Sequence, residues 1–188
     1  MSEQNEGNIK QEQKENNELK YFESPAQVPQ RGGDIVIIAP HFDDEIIGNW
    51  EIISNPLTHP VIVYLQDDEE RKKEALNLRK FIDRVKVQLF QKSIPSMVIQ
   101  PQNVLYFPDF YFESNPIHRK WGSVGEDLLR QGFNVIFYTT DMNVPYKHEV
   151  KDFKGKRHLL EKVYPSQKSL WKFEHKYFLW EGHCKFIL

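Results

Sequence analysis

His41, Asp43, Asp44 and Glu45 crowd into five positions directly after the branched apolar run Ile35-Val36-Ile37-Ile38-Ala39. One imidazole and three carboxylates packed this closely repel one another and desolvate badly unless a cation shares the space, and a divalent metal ion is the usual one. His41 and Asp44 stand three apart across a tight turn. That spacing lets one ring nitrogen and one carboxylate oxygen converge on an ion while Asp43, pointing elsewhere, acts on a bound water. The same acids also have a plainer reading. Asp43, Asp44 and Glu45 suit the N-cap and first turn of a helix, where the dipole favours negative charge, and His41 is then an ordinary loop histidine.

The elements around this turn follow from the apolar pattern. The run entered through Gly32-Gly33 predicts a buried strand of a parallel sheet over about 34–39, and ligands of open α/β sheets collect beyond the carboxyl ends of such strands. From Glu45 to Ser54 the spacing is helical, with Ile46, Ile47, Trp50 and Ile53 on one stripe. Gly48 costs that helix about 1 kcal/mol relative to Ala, which a close approach to the sheet or to a ligand would explain. Residues 60–65 predict a second strand, reached by a right-handed crossover. A helix over 69–83 carries Arg71 and Glu74 one turn apart, either as a surface ion pair or with Arg71 at a site mouth. Further strands are expected over 85–90, 103–107 and 134–140, helices over 124–131 and 156–164, and a short edge strand over 185–188. Each core strand delivers an acid or a histidine to one edge. The aromatic stretch 110–121 reads as a substrate-facing loop, in which His118, beside Arg119-Lys120, is expected to be exposed and neither ligand nor acid/base.

Composition bounds the rest. At 188 residues, with 39% hydrophobic and 13% aromatic content, the chain has material for one substantial core. Residues 1–31 are polar, with six Glu against three Lys and one Arg, and are expected to be a disordered tail and extended lead-in to a single domain over 32–188. Residues 147–188 carry nine Lys and one Arg against five acids. The acids are interspersed, so this reads as a solvated helix face and gives no strong nucleic-acid signal. The single cysteine, Cys184, excludes an internal disulfide. With neither a basic, apolar leader nor an apolar run of ~20 residues, the expectation is a soluble cytoplasmic protein without a transmembrane segment.

Four motifs in order resemble the PIG-L/LmbE-like family of metal-dependent N-acetylglucosaminyl deacetylases. Its hallmark His-Pro-Asp-Asp-Glu turn with a glycine downstream stands here as Ala39-Pro40-His41-Phe42-Asp43-Asp44-Glu45 and Gly48. Arg71-x-x-Glu74 is similar to its Arg-x-x-Glu helix, Phe107-Pro108-Asp109 to its aromatic-Pro-Asp turn, and Ser166-Gln167 to its closing Ser-Gln. The resemblance implies an α/β, Rossmann-like three-layer fold with a mostly parallel sheet and a metal site at the carboxyl edge of the strands. It implies one Zn2+ held by His41, Asp44 and a second histidine, with Asp43 as general base. The family draws that histidine from a His-Pro-Asp-His segment. After the last core strand this chain has Pro145-Tyr146-Lys147-His148, making His148 the expected third ligand and leaving Pro145 where the family's acid histidine stands. Arg71, Asp109, Tyr146 and Lys147 are the expected substrate contacts, and removal of an N-acetyl group from an amino sugar or sugar conjugate is the implied reaction. Two other functions fit the same residues: a non-catalytic sugar- or metal-binding descendant of the family, and a metal-dependent hydrolase of phosphate esters.

Overall fold

A computed structural model describes residues 20–23, 33–89, 93–141, 143–169 and 176–187. In chain order the elements are β1 (Lys20–Glu23), β2 (Ile35–Ala39), α1 (Asp44–Ser54), β3 (Val61–Tyr64), α2 (Glu69–Phe81) and β4 (Lys86–Leu89). There follow β5 (Val104–Pro108), α3 (Pro116–Arg130), β6 (Asn134–Tyr138), β7 (Lys147–Glu149), α4 (Phe153–Val163), a 3-10 turn (Pro165–Gln167), α5 (Lys176–Leu179) and β8 (Trp180–Ile187). The expected disordered tail over residues 1–19 lies outside the described residues. Lys20–Glu23, expected as lead-in, is a strand paired with β8.

The chain is mixed α/β, built on a mostly parallel sheet of eight strands. Five of them, in the order β6-β5-β2-β3-β4, pair in parallel. β8 closes this set antiparallel to β6 and carries β1 and β7, both antiparallel, on its length. β2 is the centre. All five of its side chains are at most 2% exposed, as a strand covered on both faces requires. Ile35, Ile37 and Ala39 join one apolar cluster with Ile46 and Ile53 of α1, Leu78 of α2 and Leu160 of α4, whereas Val36 and Ile38 join a second with Leu128 of α3. Each fully buried Val, Ile or Leu contributes about 1.5–3 kcal/mol relative to exposure, so the alternation along β2 fixes which helices sit on which face. Among the described residues no helix is long and apolar enough to cross a membrane.

α3 and β8 differ most from the sequence expectation. α3 begins at Pro116, eight residues before the expected start, because Asn115 caps it by accepting from the Ile117 amide (2.9 Å) and Pro116 occupies the first turn. The second half of the presumed loop 110–121 is therefore helix. β8 spans eight residues inside the sheet, where a short edge strand was expected. Its sequence, Trp-Glu-Gly-His-Cys-Lys-Phe-Ile, hides the strand because Glu181 and His183 are polar yet buried.

Gly48 answers a packing demand. A Cβ there would meet the Tyr138 ring (2.8 Å from Cε2) and the Thr139 carbonyl at 3.3 Å, so it is the sheet that α1 approaches closely. Gly122 does the same for α3, where a Cβ would lie 2.6 Å from the Pro108 carbonyl oxygen. These two contacts seat both helices against the carboxyl ends of β5 and β6. Gly48→Ala is expected to lower the unfolding free energy by ~1–3 kcal/mol through overpacking, despite its better helix propensity. The urea midpoint checks this, and an unchanged or raised midpoint would mean that α1 is not held so close.

Candidate metal centre

β2 ends at Ala39, and the next five residues fold back on themselves. Asp43 takes a left-handed conformation (φ 111°, ψ −23°), which is uncommon for a non-glycine residue and costs on the order of 1–3 kcal/mol. Its carbonyl accepts from the Ile46 and Ile47 amides, both at 3.0 Å, starting α1. The acidic side chains turn back onto the same loop. Asp44 Oδ2 accepts from the His41 amide (2.7 Å) and Glu45 Oε2 from the Asp43 amide (3.0 Å). Phe42 is fully buried against Tyr64, with ring centroids 4.8 Å apart, and anchors the turn from below.

The turn presents His41 and Asp44 to a residue from α3, His118. His41 Nδ1 and His118 Nε2 stand 2.9 Å apart, and Asp44 Oδ2 lies 3.3 Å from the first and 3.1 Å from the second. These three edges suit a metal ion: a tetrahedral zinc with bonds of ~2.0–2.1 Å spaces its ligand atoms about 3.3–3.4 Å apart. Two imidazoles and a carboxylate are also the donor types that zinc takes.

His118 is 2% exposed, contrary to the expectation drawn from its basic neighbours. Its other ring nitrogen, Nδ1, faces Glu113 Oε2 at 3.2 Å. Glu113, itself buried, is fixed by donors on Oε1 from the amides of Thr140 (2.6 Å) and Asp141 (3.1 Å) and the Thr139 hydroxyl (3.0 Å). A carboxylate behind an imidazole in this way sets its orientation and raises its basicity as a ligand. Burial alone would lower the His118 pKa, but Asp44 and Glu113 on either side outweigh it and raise it to about 10. Burial likewise works to raise Asp44, yet His118 and His41 hold it below the ordinary carboxylate range. The cluster thus calls for positive charge at its centre. A proton on His118 supplies it, and a divalent ion there would displace that proton.

Asp43 sits beside this triad and is held differently. Arg71 of α2 reaches across with Nη2 to both Asp43 Oδ2 and the Phe42 carbonyl. Burial and the neighbouring Asp44 raise the Asp43 pKa well above its ordinary value, with Arg71 opposing them. Arg71 therefore pairs with Asp43 and not with Glu74. Glu74 instead accepts from Ser166, amide at 2.8 Å and hydroxyl at 2.6 Å, tying α2 to the 3-10 turn and bringing Gln167 to the site. Behind the turn, Glu45 is fully buried, which raises it to about 7, and it accepts from the Tyr164 hydroxyl at 2.6 Å. A cavity of about 270 Å³ opens over His41, Asp43, Asp44 and His118, and Arg71, Asn115 and Gln167 contribute to its wall.

Of the residues expected at the site, His41, Asp43, Asp44 and Arg71 are brought together, and the others stand elsewhere. His148 is on β7, 3.3 Å from Glu51 and 4.0 Å from Glu181, in a separate cluster, so the imidazole that joins His41 and Asp44 is that of His118. Tyr146 is buried and donates its hydroxyl to Asp109. Asp109 is fully buried and also accepts from the Phe112 amide at 2.9 Å, so its carboxylate shapes the loop leading to Glu113 and does not face the cavity. Lys147 is exposed on β7, its ammonium 5.4 Å from the centroid of the Trp180 ring. The residues that sequence reasoning missed are His118, Glu113 and, as a cavity residue, Gln167, whereas Asn115 belongs to the stretch expected to face substrate and lines the cavity. One signal was present: Asn115-Pro116-Ile117-His118 keeps the proline and the final histidine of a His-Pro-Asp-His segment, at a helix start and one strand earlier than Pro145–His148.

Comparison of the chain with family models and with curated proteins gives no match. Glu113→Gln keeps the oxygen that accepts from Thr140 and Asp141 but removes the charge behind His118. It is expected to weaken zinc binding ~10–100-fold, measured by competition with a chromophoric chelator, with the circular dichroism spectrum unchanged. Undiminished affinity would show that His118 needs no such support.

Proposed function

We propose that this chain is a PIG-L/LmbE-like metal-dependent hydrolase, a zinc enzyme that removes the N-acetyl group from an amino sugar or sugar conjugate. One observation carries the reading: three ligand atoms from His41, Asp44 and His118 converge to within 3.3 Å, beside a separate carboxylate, Asp43, held by an arginine. Three protein ligands with a position left for water is the arrangement of a catalytic zinc site. The sequence motifs support the family reading because they meet physically. The His-x-Asp-Asp turn receives Arg71, Glu74 of the same motif holds Ser166, and Gln167 next to Ser166 lines the cavity. On this reading the fold is the Rossmann-like three-layer arrangement, with the metal at the carboxyl edge of the strands.

His41 Nδ1, Asp44 Oδ2 and His118 Nε2 would hold the ion, which when bound polarises a water and offsets the negative charge that develops on the acetyl oxygen. Asp43 takes the proton from the attacking water, and burial with Asp44 beside it raises its proton affinity above that of an ordinary carboxylate, the direction a base needs. Arg71 fixes Asp43 Oδ2, so the carboxylate meets the water in one orientation. Glu113 keeps the His118 ring from turning. Asn115 stands at the position of the family's first histidine and is no acid, so Asp43 returns the proton to the departing nitrogen. At about 270 Å³ the cavity is at the small end of ligand sites, typically ~300–1,000 Å³, which favours a single acetamido sugar ring over a polymer segment.

Asn115 also favours a second reading, a descendant of the family that binds sugar and metal without turnover. Acetate release from zinc-loaded protein on a panel of N-acetylated amino sugars separates the two, and the absence of release from every member would overturn the hydrolase. Asp43→Asn is expected to lower the rate ~10²–10⁴-fold with zinc content unchanged, whereas His118→Ala is expected to lose the zinc of this centre and activity together. Retention of full activity by Asp43→Asn would remove it from the role of base.

A further inference from the structure

The histidine that stays away from the first site has company of its own. His148 of β7, Glu51 of α1 and Glu181 of β8 each offer one ligand atom, all within 4.8 Å of one another. Glu181 is fully buried, and its two oxygens are divided between tasks. Oε2 accepts from the Trp50 amide (2.8 Å) and faces the Lys156 ammonium at 3.7 Å. Oε1 accepts from the Glu51 amide (3.1 Å) and faces His148 Nε2 at 4.0 Å. These amides are available because α1 departs from helical geometry at Asn49 (φ −139°, ψ 34°), so the chain is shaped around this carboxylate.

Two polar atoms in this part of the fold are shut off from solvent without a hydrogen-bond partner among the described residues. One is His148 Nε2, which points at both carboxylates, at 3.3 Å from Glu51 Oε1. The other is Nδ2 of Asn49, a fully buried residue whose Oδ1 meets His183 Nε2 at 3.2 Å. His183 lines, with Glu51 and His148, a second cavity of about 360 Å³, whose wall also carries Glu23 and Glu149 against Lys151 alone. Glu181 faces the buried ammonium of Lys156, which is already engaged by the carbonyls of Ile47 (2.6 Å) and Trp180 (2.9 Å). Glu181 is thus matched by Lys156, and Glu51 is met by His148 Nε2, the nitrogen whose place beside both carboxylates an ion would share.

We propose that Glu51, His148 and Glu181 form a second divalent-cation site, separate from the His41–Asp44–His118 centre, that clips α1, β7 and β8 together. One imidazole and two carboxylates are donors for a borderline first-row ion such as Zn2+. Glu51 and His148 are 36% and 40% exposed at their side chains, so both can close on an ion by rotamer change while buried Glu181 stays fixed. The site does not depend on the hydrolase reading.

The test is zinc stoichiometry on the full chain, measured by elemental analysis after gel filtration, with thermal melting alongside. Wild type is expected to carry two zinc ions, and His148→Ala, Glu51→Gln and His41→Ala one each. In the His41→Ala background added zinc is expected to raise the melting temperature, and adding His148→Ala to that background abolishes the rise. If His148→Ala and Glu51→Gln hold as many ions as wild type, the second site is overturned. A single ion lost in His41→Ala but kept in His148→Ala overturns it too and leaves the hydrolase standing. A single ion lost in His148→Ala but kept in His41→Ala upholds the second site and sinks the first. Circular dichroism confirms that each variant is folded, and Glu51→Gln, isosteric and partly exposed, serves should His148→Ala fail to fold.

Discussion

Asp44 is a carboxylate with almost no contact with water, and burying a lone negative charge is among the most expensive things a fold can do. It is tolerated because His41 and His118 meet the same oxygen, and because Glu113 on the far side keeps one of those rings turned toward it. Removing any one of these weakens the compensation of a buried charge, so the four residues are energetically coupled. The left-handed backbone at Asp43, the early start of α3 and the close seat of Gly122 against β5 all bring those groups together.

Positioning the unit falls to the parallel sheet. β2, buried on both faces, delivers the turn. β5 leads through the Asp109-capped loop to Glu113 and α3, and β6 ends where Thr139 and Thr140 bind Glu113. Three adjacent strands therefore each supply one part of the same small volume. α2 closes the circle from the other side, with Arg71 on Asp43 and Glu74 on the 3-10 turn. An arginine and a glutamate one helical turn apart, ordinarily a surface pair, here work in opposite directions as two separate braces.

The core of this arrangement was legible in the sequence, and the reasons for the rest are specific. The branched run of β2 and the polar crowd behind it gave the first strand, the turn, and the grouping of His41, Asp43 and Asp44, because continuous apolar runs and sudden polarity are local signals. His118 was hidden by Arg119 and Lys120. Those side chains point to water from a helix whose third residue points inward, and neighbour polarity says nothing about the opposite face of a helix. His148 was attractive because it follows the last parallel strand, but β7 pairs with β8 and carries it to a different cluster. β8 itself was half missed because its buried positions hold a glutamate and a histidine, and only tertiary partners make such residues interior.

The antiparallel end of the sheet has a consequence of another kind. Lys20–Glu23 covers one side of Cys184–Ile187, rung for rung, and so ends the sheet on a strand of four residues in place of the longer rim of amides and carbonyls that β8 would present. A protein trimmed to begin at Gly33 would keep every residue of the His41–Asp44–His118 cluster yet expose that rim, a template on which neighbouring molecules can stack edge to edge. The short first strand thus limits the length of bare backbone that the sheet offers to a second molecule.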